Sequence, residues 1–242
     1  MTAATAVLGY TLRTNLRARR WWALLLAWAA AVMFGLLSFA SDEPRQEAFA
    51  VAADHGLFAL LIPIGCLVIG DAVLGAEMRA GTFHFTWLSP VPTHTIVLGR
   101  WLGGWLIALA ALVPAVALSA IVARSPDAIG ALSLATAAGS AAYIGLFVLI
   151  GCVTRRAAVW SLAVVFLVER LLGAALSGVA QLSPMWESRA VYAGLGPDAD
   201  ELLRDGVPDG WAAVARLAII TVVVLVLASW RLRRPRLAAA SD

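Results

Sequence analysis

At 242 residues, with 62% hydrophobic and only 14% charged positions, the chain is too apolar for a water-soluble domain. Its net charge of +3 sets 18 basic residues, all of them arginine, against 15 acids. With no lysine anywhere, it cannot supply the lysine of a Walker A phosphate loop or form a Schiff base.

A hydrocarbon core about 30 Å thick takes roughly 20 mostly apolar residues per helix. Six stretches meet that measure: residues 21–40, 56–76, 101–123, 130–152, 157–182 and 211–230. The expected fold is therefore all-α, a polytopic membrane protein with six transmembrane helices and a single domain over residues 1–242.

Residues 5–20 come first. Leu8, Leu12 and Leu16 recur at i, i+4 and i+8, while Arg13, Arg17 and Arg20 take another face. A basic amphipathic helix of this kind lies on the inner membrane surface. Ser38-Phe39-Ala40 imitates a secretory cleavage site, but the apolar run before it, about 20 residues, exceeds the roughly 7–15 of a signal segment. The first span also places Ala23, Ala27, Ala31 and Gly35 at every fourth position. In lipid such a stripe lets another backbone come close, although an alanine-rich chain also produces it by chance.

The segment 77–100, between the second and third spans, is polar and interrupted. Pro90 and Pro92 break regular helix and Gly81 can end one. A short helix over about Thr82–Ser89 would present Phe83, Phe85, Trp87 and Leu88 as an apolar surface, suited to a pocket on a partner or to the lipid interface. Glu77 is the sole acid of the arginine-rich loops apart from Asp242. His84 and His94 lack a third ligand, and Cys66 and Cys152 have no ligand-like spacing, so no metal site is expected.

Glu169 and Arg170 stand near the midpoint of the fifth span, where an ionisable group costs several kcal/mol unless paired or hydrated. Neighbouring helical positions point to different faces, so each needs its own partner. An ion pair between helices is the first reading. A polar lining of a translocation path and a contact across a dimer are the others. Further along the same span, Gly173 and Ser177 repeat the small-residue spacing, as do Ala174 and Gly178. The segment 183–210 then forms a long outer loop, with short helices expected at the outer interface around Met185–Leu195. Asp71 and Arg216, close to span ends, can reach toward the interfaces.

Orientation follows from arginine. Arg13, Arg17, Arg19 and Arg20, then Arg79 and Arg100, Arg155 and Arg156, and Arg231, Arg233, Arg234 and Arg236 mark one side; acids crowd the alternate loops. The positive-inside rule then puts both termini in the cytoplasm. The tryptophans sort as an aromatic belt: Trp21, Trp22, Trp87, Trp101, Trp105, Trp160 and Trp230 inward, Trp186 and Trp211 outward, with Trp28 alone well inside a span. The positive charge thus reflects sidedness and gives no reason to expect a nucleic-acid partner.

The order Glu77, Gly81-Thr82, Pro90-Val91, Gly99-Arg100 resembles the first cytoplasmic loop of ABC-2 type permeases, the membrane halves of one kind of ABC exporter. The resemblance is confined to that loop; the rest agrees in topology alone. It implies that Glu77, Gly81, Thr82, Phe83, Phe85, Trp87, Pro90, Val91, Gly99 and Arg100 couple the chain to a separate cytoplasmic ABC ATPase. ATP and magnesium would be held by that partner, with no cofactor here. It implies a second permease subunit, identical or similar, packed through the first and fifth helices. Ala23, Ala27, Ala31, Gly35, Gly173 and Ser177 are then the candidates for that contact. It also implies export of a hydrophobic or amphipathic cargo. The bias to alanine and arginine suggests a GC-rich bacterial genome, hence a bacterial inner membrane. Two rival readings stay open: an ion-coupled secondary transporter with Glu169 as proton site, and a non-transporting scaffold. An enzyme is not expected, since no triad or paired catalytic motif accompanies Glu169.

Overall fold

A computed structural model describes residues 3–17, 21–40, 44–75, 91–154, 156–197, 199–203 and 206–233, and their regular structure is entirely helical. Helix α1 is Ala3–Arg17 and α2 is Trp21–Leu37. Five further helices are long and apolar enough to cross a membrane: α3 (Gln46–Val73), α4 (Thr93–Val122), α5 (Ala128–Val153), α6 (Ala157–Ala175) and, after two short helices, α9 (Gly210–Arg233). The short ones are α7 (Ser177–Ala180) and α8 (Pro184–Leu195). At 17 residues α2 spans about 25 Å, somewhat less than a core of about 30 Å.

Helix α5 is the axis of the bundle, and α3, α4, α8 and α9 pack around it. Two-thirds of its apolar window is buried (67%), against 28% for α6, which therefore stands at the rim. Small residues make this possible: Ala131, Ala135, Gly139, Ala142 and Gly145 keep α5 slim enough for several neighbours to touch it. A short turn over residues 123–127 sends α5 back antiparallel to α4, with Arg124 at a positive φ of 59° and its guanidinium over the Phe39 ring.

Three tryptophans knit these helices together. The indole N–H of Trp28 donates to the Ala111 carbonyl at 2.9 Å, that of Trp101 to Ala141 at 2.9 Å and that of Trp105 to Ala137 at 3.0 Å. Trp101 and Trp105 also stack, 5.4 Å apart. An indole with its ring among side chains and its donor on a neighbouring backbone is an interhelical tie. Trp101 and Trp105 thus depart from the belt role expected of them, whereas Trp160, Trp211 and Trp230 are more than half exposed, as belt residues are.

The stripe on α2 is also used within the chain. Ala31 is fully buried and Ala27 packs on the core. A Cβ on Gly35 would stand 2.5 Å from the Ser119 carbonyl oxygen of α4. This face lies against the protein's own α4.

Three boundaries differ from expectation. Helix α3 starts ten residues early, so Asp54, which precedes the expected span, lies inside it, buried and paired with Arg189. Helix α4 starts eight residues early, at Thr93 directly after Pro92, so residues 93–100 of the expected loop are helical. Helix α6 stops at Leu176, whose backbone is extended (φ −122°, ψ 113°), so residues 157–182 are not one helix. The chain turns back there. Pro184 opens α8, and the Ser183 hydroxyl caps it by accepting from the Trp186 N–H. Helix α8 does not rest on the surface: Met185, Ser188, Val191 and Tyr192 are buried, and it packs on α5 and α9.

Candidate functional site

Several ionisable residues converge on α8. Glu169 and Arg170 lie in a π-helical segment of α6, Val164–Leu172, and Asp54 in one of α3, Ala53–Leu61. Such wide turns shift side-chain registers locally and recur at functional positions. The next amide after each segment bonds five residues back, Gly173 to Val168 and Ile62 to Leu57.

Glu169 is 98% buried, and its carboxyl group is fully engaged. The Tyr143 hydroxyl donates to Oε2 at 2.6 Å, the Ser183 hydroxyl to Oε1 at 2.8 Å, and the Met185 amide to Oε1 at 3.4 Å. The Glu169 backbone carbonyl accepts from the Trp186 indole at 3.1 Å. Glu169 thus joins α5, α6 and the start of α8 through hydrogen bonds from neutral donors. The interhelical ion pair expected first is absent from its described contacts. Gly173, one turn on, leaves room for Trp186: a Cβ there would lie 2.6 Å from the indole nitrogen. Gly173 therefore meets α8 of its own chain. Ser177 lies beyond the Leu176 break, exposed on α7, so the two do not share one continuous helix face.

Helix α8 is tied on two further sides. Arg189 Nε lies 3.1 Å from Asp54 Oδ1, and its guanidinium sits over the Trp186 ring at 4.9 Å. Arg170 is close enough for its charge to act on Asp54, as does His55 from 3.5 Å. On the opposite side Glu187 meets Arg216 of α9 at 3.6 Å. Burial pushes the Glu187 carboxyl up to about 7, with Arg216 pulling the other way. Arg216 is thus an ion-pair partner within the protein as well as a residue near the interface.

Sequence reasoning singled out Glu169 and Arg170 but not Tyr143, Asp54, Arg189 or Glu187. A usable signal lay in Trp186-Glu187-Ser188-Arg189: opposite charges two apart on a helix cannot share one partner, so burying that helix demands a partner on each side.

The other candidates belong to the connection between α3 and α4. Glu77, Gly81, Thr82, Phe83, Phe85, Trp87 and Pro90 lie outside the described residues. Val91 is half-buried just ahead of α4, and Gly99 and Arg100 are buried within it. Arg100 Nη1 donates to the Val73 carbonyl at 3.1 Å, and its guanidinium covers the Tyr10 ring of α1 at 4.9 Å. Nearby, Arg233 Nε donates to the Thr93 hydroxyl, so the end of α9 meets the start of α4. Of the stripe residues, Ala23 falls in α2 ahead of Ala27, Ala31 and Gly35.

No protein-family model matches the sequence, and no curated protein matches it. What the geometry offers is a membrane-type helical bundle with two polar assemblies, one clamping α8 and one around Arg100.

Proposed function

We propose that this chain is the membrane-spanning permease subunit of an ATP-binding cassette exporter of the ABC-2 type. The observation that carries the reading is the ordered set Glu77, Gly81-Thr82, Pro90-Val91, Gly99-Arg100 in a polar segment between two spans. The bundle supports it, because the last described turn of α3 and the first turns of α4 lie side by side, joined by Arg100 on the Val73 carbonyl. In this reading α2 is the first of six transmembrane helices and α1 lies along the inner surface. Both termini are cytoplasmic, and the membrane is the bacterial inner membrane. Arginine in the inward loops supports that orientation.

With no lysine for a Walker A loop, ATP and magnesium belong to a separate ATPase subunit. Two permease subunits pair and recruit two ATPases; ATP-driven closure shifts segment 77–100 and opens a path outward. The rim helix α6, with Val159, Leu167 and Leu171 exposed, is the face offered to the second subunit. Cargo is hydrophobic or amphipathic.

The test is to purify the tagged chain from its host in mild detergent and identify stoichiometric partners by mass spectrometry. A soluble Walker A protein, lost when residues 82–89 are deleted, is the expected result. Retention of that ATPase by the deletion variant would refute the coupling assignment. Transport that persists without any ATPase and collapses with the proton gradient would replace this reading with ion-coupled transport.

A further inference from the structure

Arg100 enters the permease reading as part of a surface motif, yet its side chain is 98% buried and turned into the protein. Its surroundings come from three separate elements. The Val73 carbonyl it binds lies at the inner end of α3, within the π-helical turn Asp71–Gly75. A guanidinium, with several donors in one plane, can bind a carbonyl with one edge while its face lies on a ring. The Tyr10 ring belongs to α1 and presents its face to the same cation, an arrangement that strengthens as water is excluded. Arg100 itself is on α4. Three residues on, the same α4 face admits α1 closely: Thr11 is fully buried, and its methyl carbon stands 2.8 Å from where a Cβ on Gly103 would be. Arg100 therefore sits where α1, α3 and α4 meet, at the two described ends of the segment 76–90.

We infer that Arg100 is a positioning residue that fastens α1, the inner end of α3 and the start of α4 into one corner, so that all three move as a unit. Within the permease reading, on which only this last step rests, displacement of segment 77–100 is delivered to α1 through Arg100. Arg100 then acts without touching the ATPase. A lysine would carry the same charge but not the planar face against Tyr10 together with the donor to Val73.

The test places spin labels at Ala6→Cys on α1 and His94→Cys on α4, both exposed positions, in the full chain in liposomes. Cys66 and Cys152 are buried and label slowly. The wild-type background and Tyr10→Phe, which keeps the ring, give one narrow distance. Tyr10→Leu and Arg100→Met give a broad one, the double variant is no broader than either, and Arg100→Lys recovers part of the sharpness. Tyr10 is half exposed, so Tyr10→Leu folds even if Arg100→Met does not, and it decides the matter alone. A distance as narrow in Tyr10→Leu as in wild type overturns the inference, since Thr11 against Gly103 would then suffice.

With the captured ATPase and a non-hydrolysable ATP analogue, the wild-type distance stays fixed while that of Tyr10→Leu splits. A wild-type distance that itself changes also overturns the inference. If no ATPase is captured, the permease reading fails, and the nucleotide-free distances still judge the corner.

Discussion

Removing the Glu169 carboxyl strands three donors at once: the Tyr143 and Ser183 hydroxyls and the Met185 amide. A buried donor left unpaired costs about 1–3 kcal/mol. Glu169→Ala therefore lowers the melting temperature in detergent well below wild type. Tyr143→Phe leaves a single buried acceptor, Glu169 Oε2, without its donor, and so costs about 1–3 kcal/mol, less than Glu169→Ala. Equal losses from the two would show that the carboxyl is not the hub. Glu187 makes a prediction in pH. Its folded carboxyl holds a proton up to about 7, above the ordinary 4.5, so the folded state binds more protons between those values. The associated stability is complete below about 4.5 and is lost as pH rises through about 7. Glu187→Gln, which mimics the protonated form, should match wild type at pH 5 and melt higher at pH 8. A wild-type melting curve flat between those pH values would contradict this.

For the elements, the decisive contact is α6 against α8. Gly173→Val drives a side chain into the Trp186 indole and should loosen α8, whereas Gly178→Ala has open space around it and should be neutral. Thermal melting together with protease susceptibility of residues 176–184 separates the two variants. The apolar runs that became α4, α5 and α9 were legible in the sequence because long stretches of Ala, Leu, Val and Ile without charge admit few other structures in lipid. Expected bounds of 130–152 became Ala128–Val153, and 211–230 became Gly210–Arg233. What could not be read was pairing. Asp54 looked like a loop residue because its partner, Arg189, lies far along the chain and only folding brings them together. The stop at Leu176 was hidden too, since the residue carries no breaking signal of its own. Regular helix resumes at Pro184, where the Ser183 hydroxyl caps α8. The candidate site was legible to the extent that Glu169 stood out. The donors that satisfy it are ordinary residues and do not announce themselves.

At the scale of the molecule the question is sidedness. His55, in the first half of α3, and His94, at the start of α4, are both exposed, and the proposed topology puts them on opposite sides of the membrane. In intact cells a membrane-impermeant maleimide should label His55→Cys, and should reach His94→Cys only after permeabilisation. The reverse pattern would invert the proposed topology. Around α8 the bundle is bound by ion pairs on both sides, Asp54 with Arg189 and Glu187 with Arg216. Around the start of α4 the ties are Arg100 on a carbonyl and a ring, and Arg233 on a hydroxyl. Breaking a buried pair by removing one partner leaves a charge without compensation and is strongly destabilising. Asp54→Ala should therefore cost more stability than Tyr10→Leu, measured by detergent melting of both.

The Glu169 junction also has a history in time. Tyr143 lies 26 residues before Glu169, so it is made first and stands ready when α6 enters the bilayer. Ser183 follows Glu169 by 14 residues, about 1–3 s later at ~5–20 residues per second. During that interval Glu169 has one of its three donors. The order of synthesis thus favours α5 and α6 meeting early, with α8 closing over them afterwards. A nascent chain from which residue 169 has emerged into the membrane and residue 183 has not would stand at its half-satisfied stage.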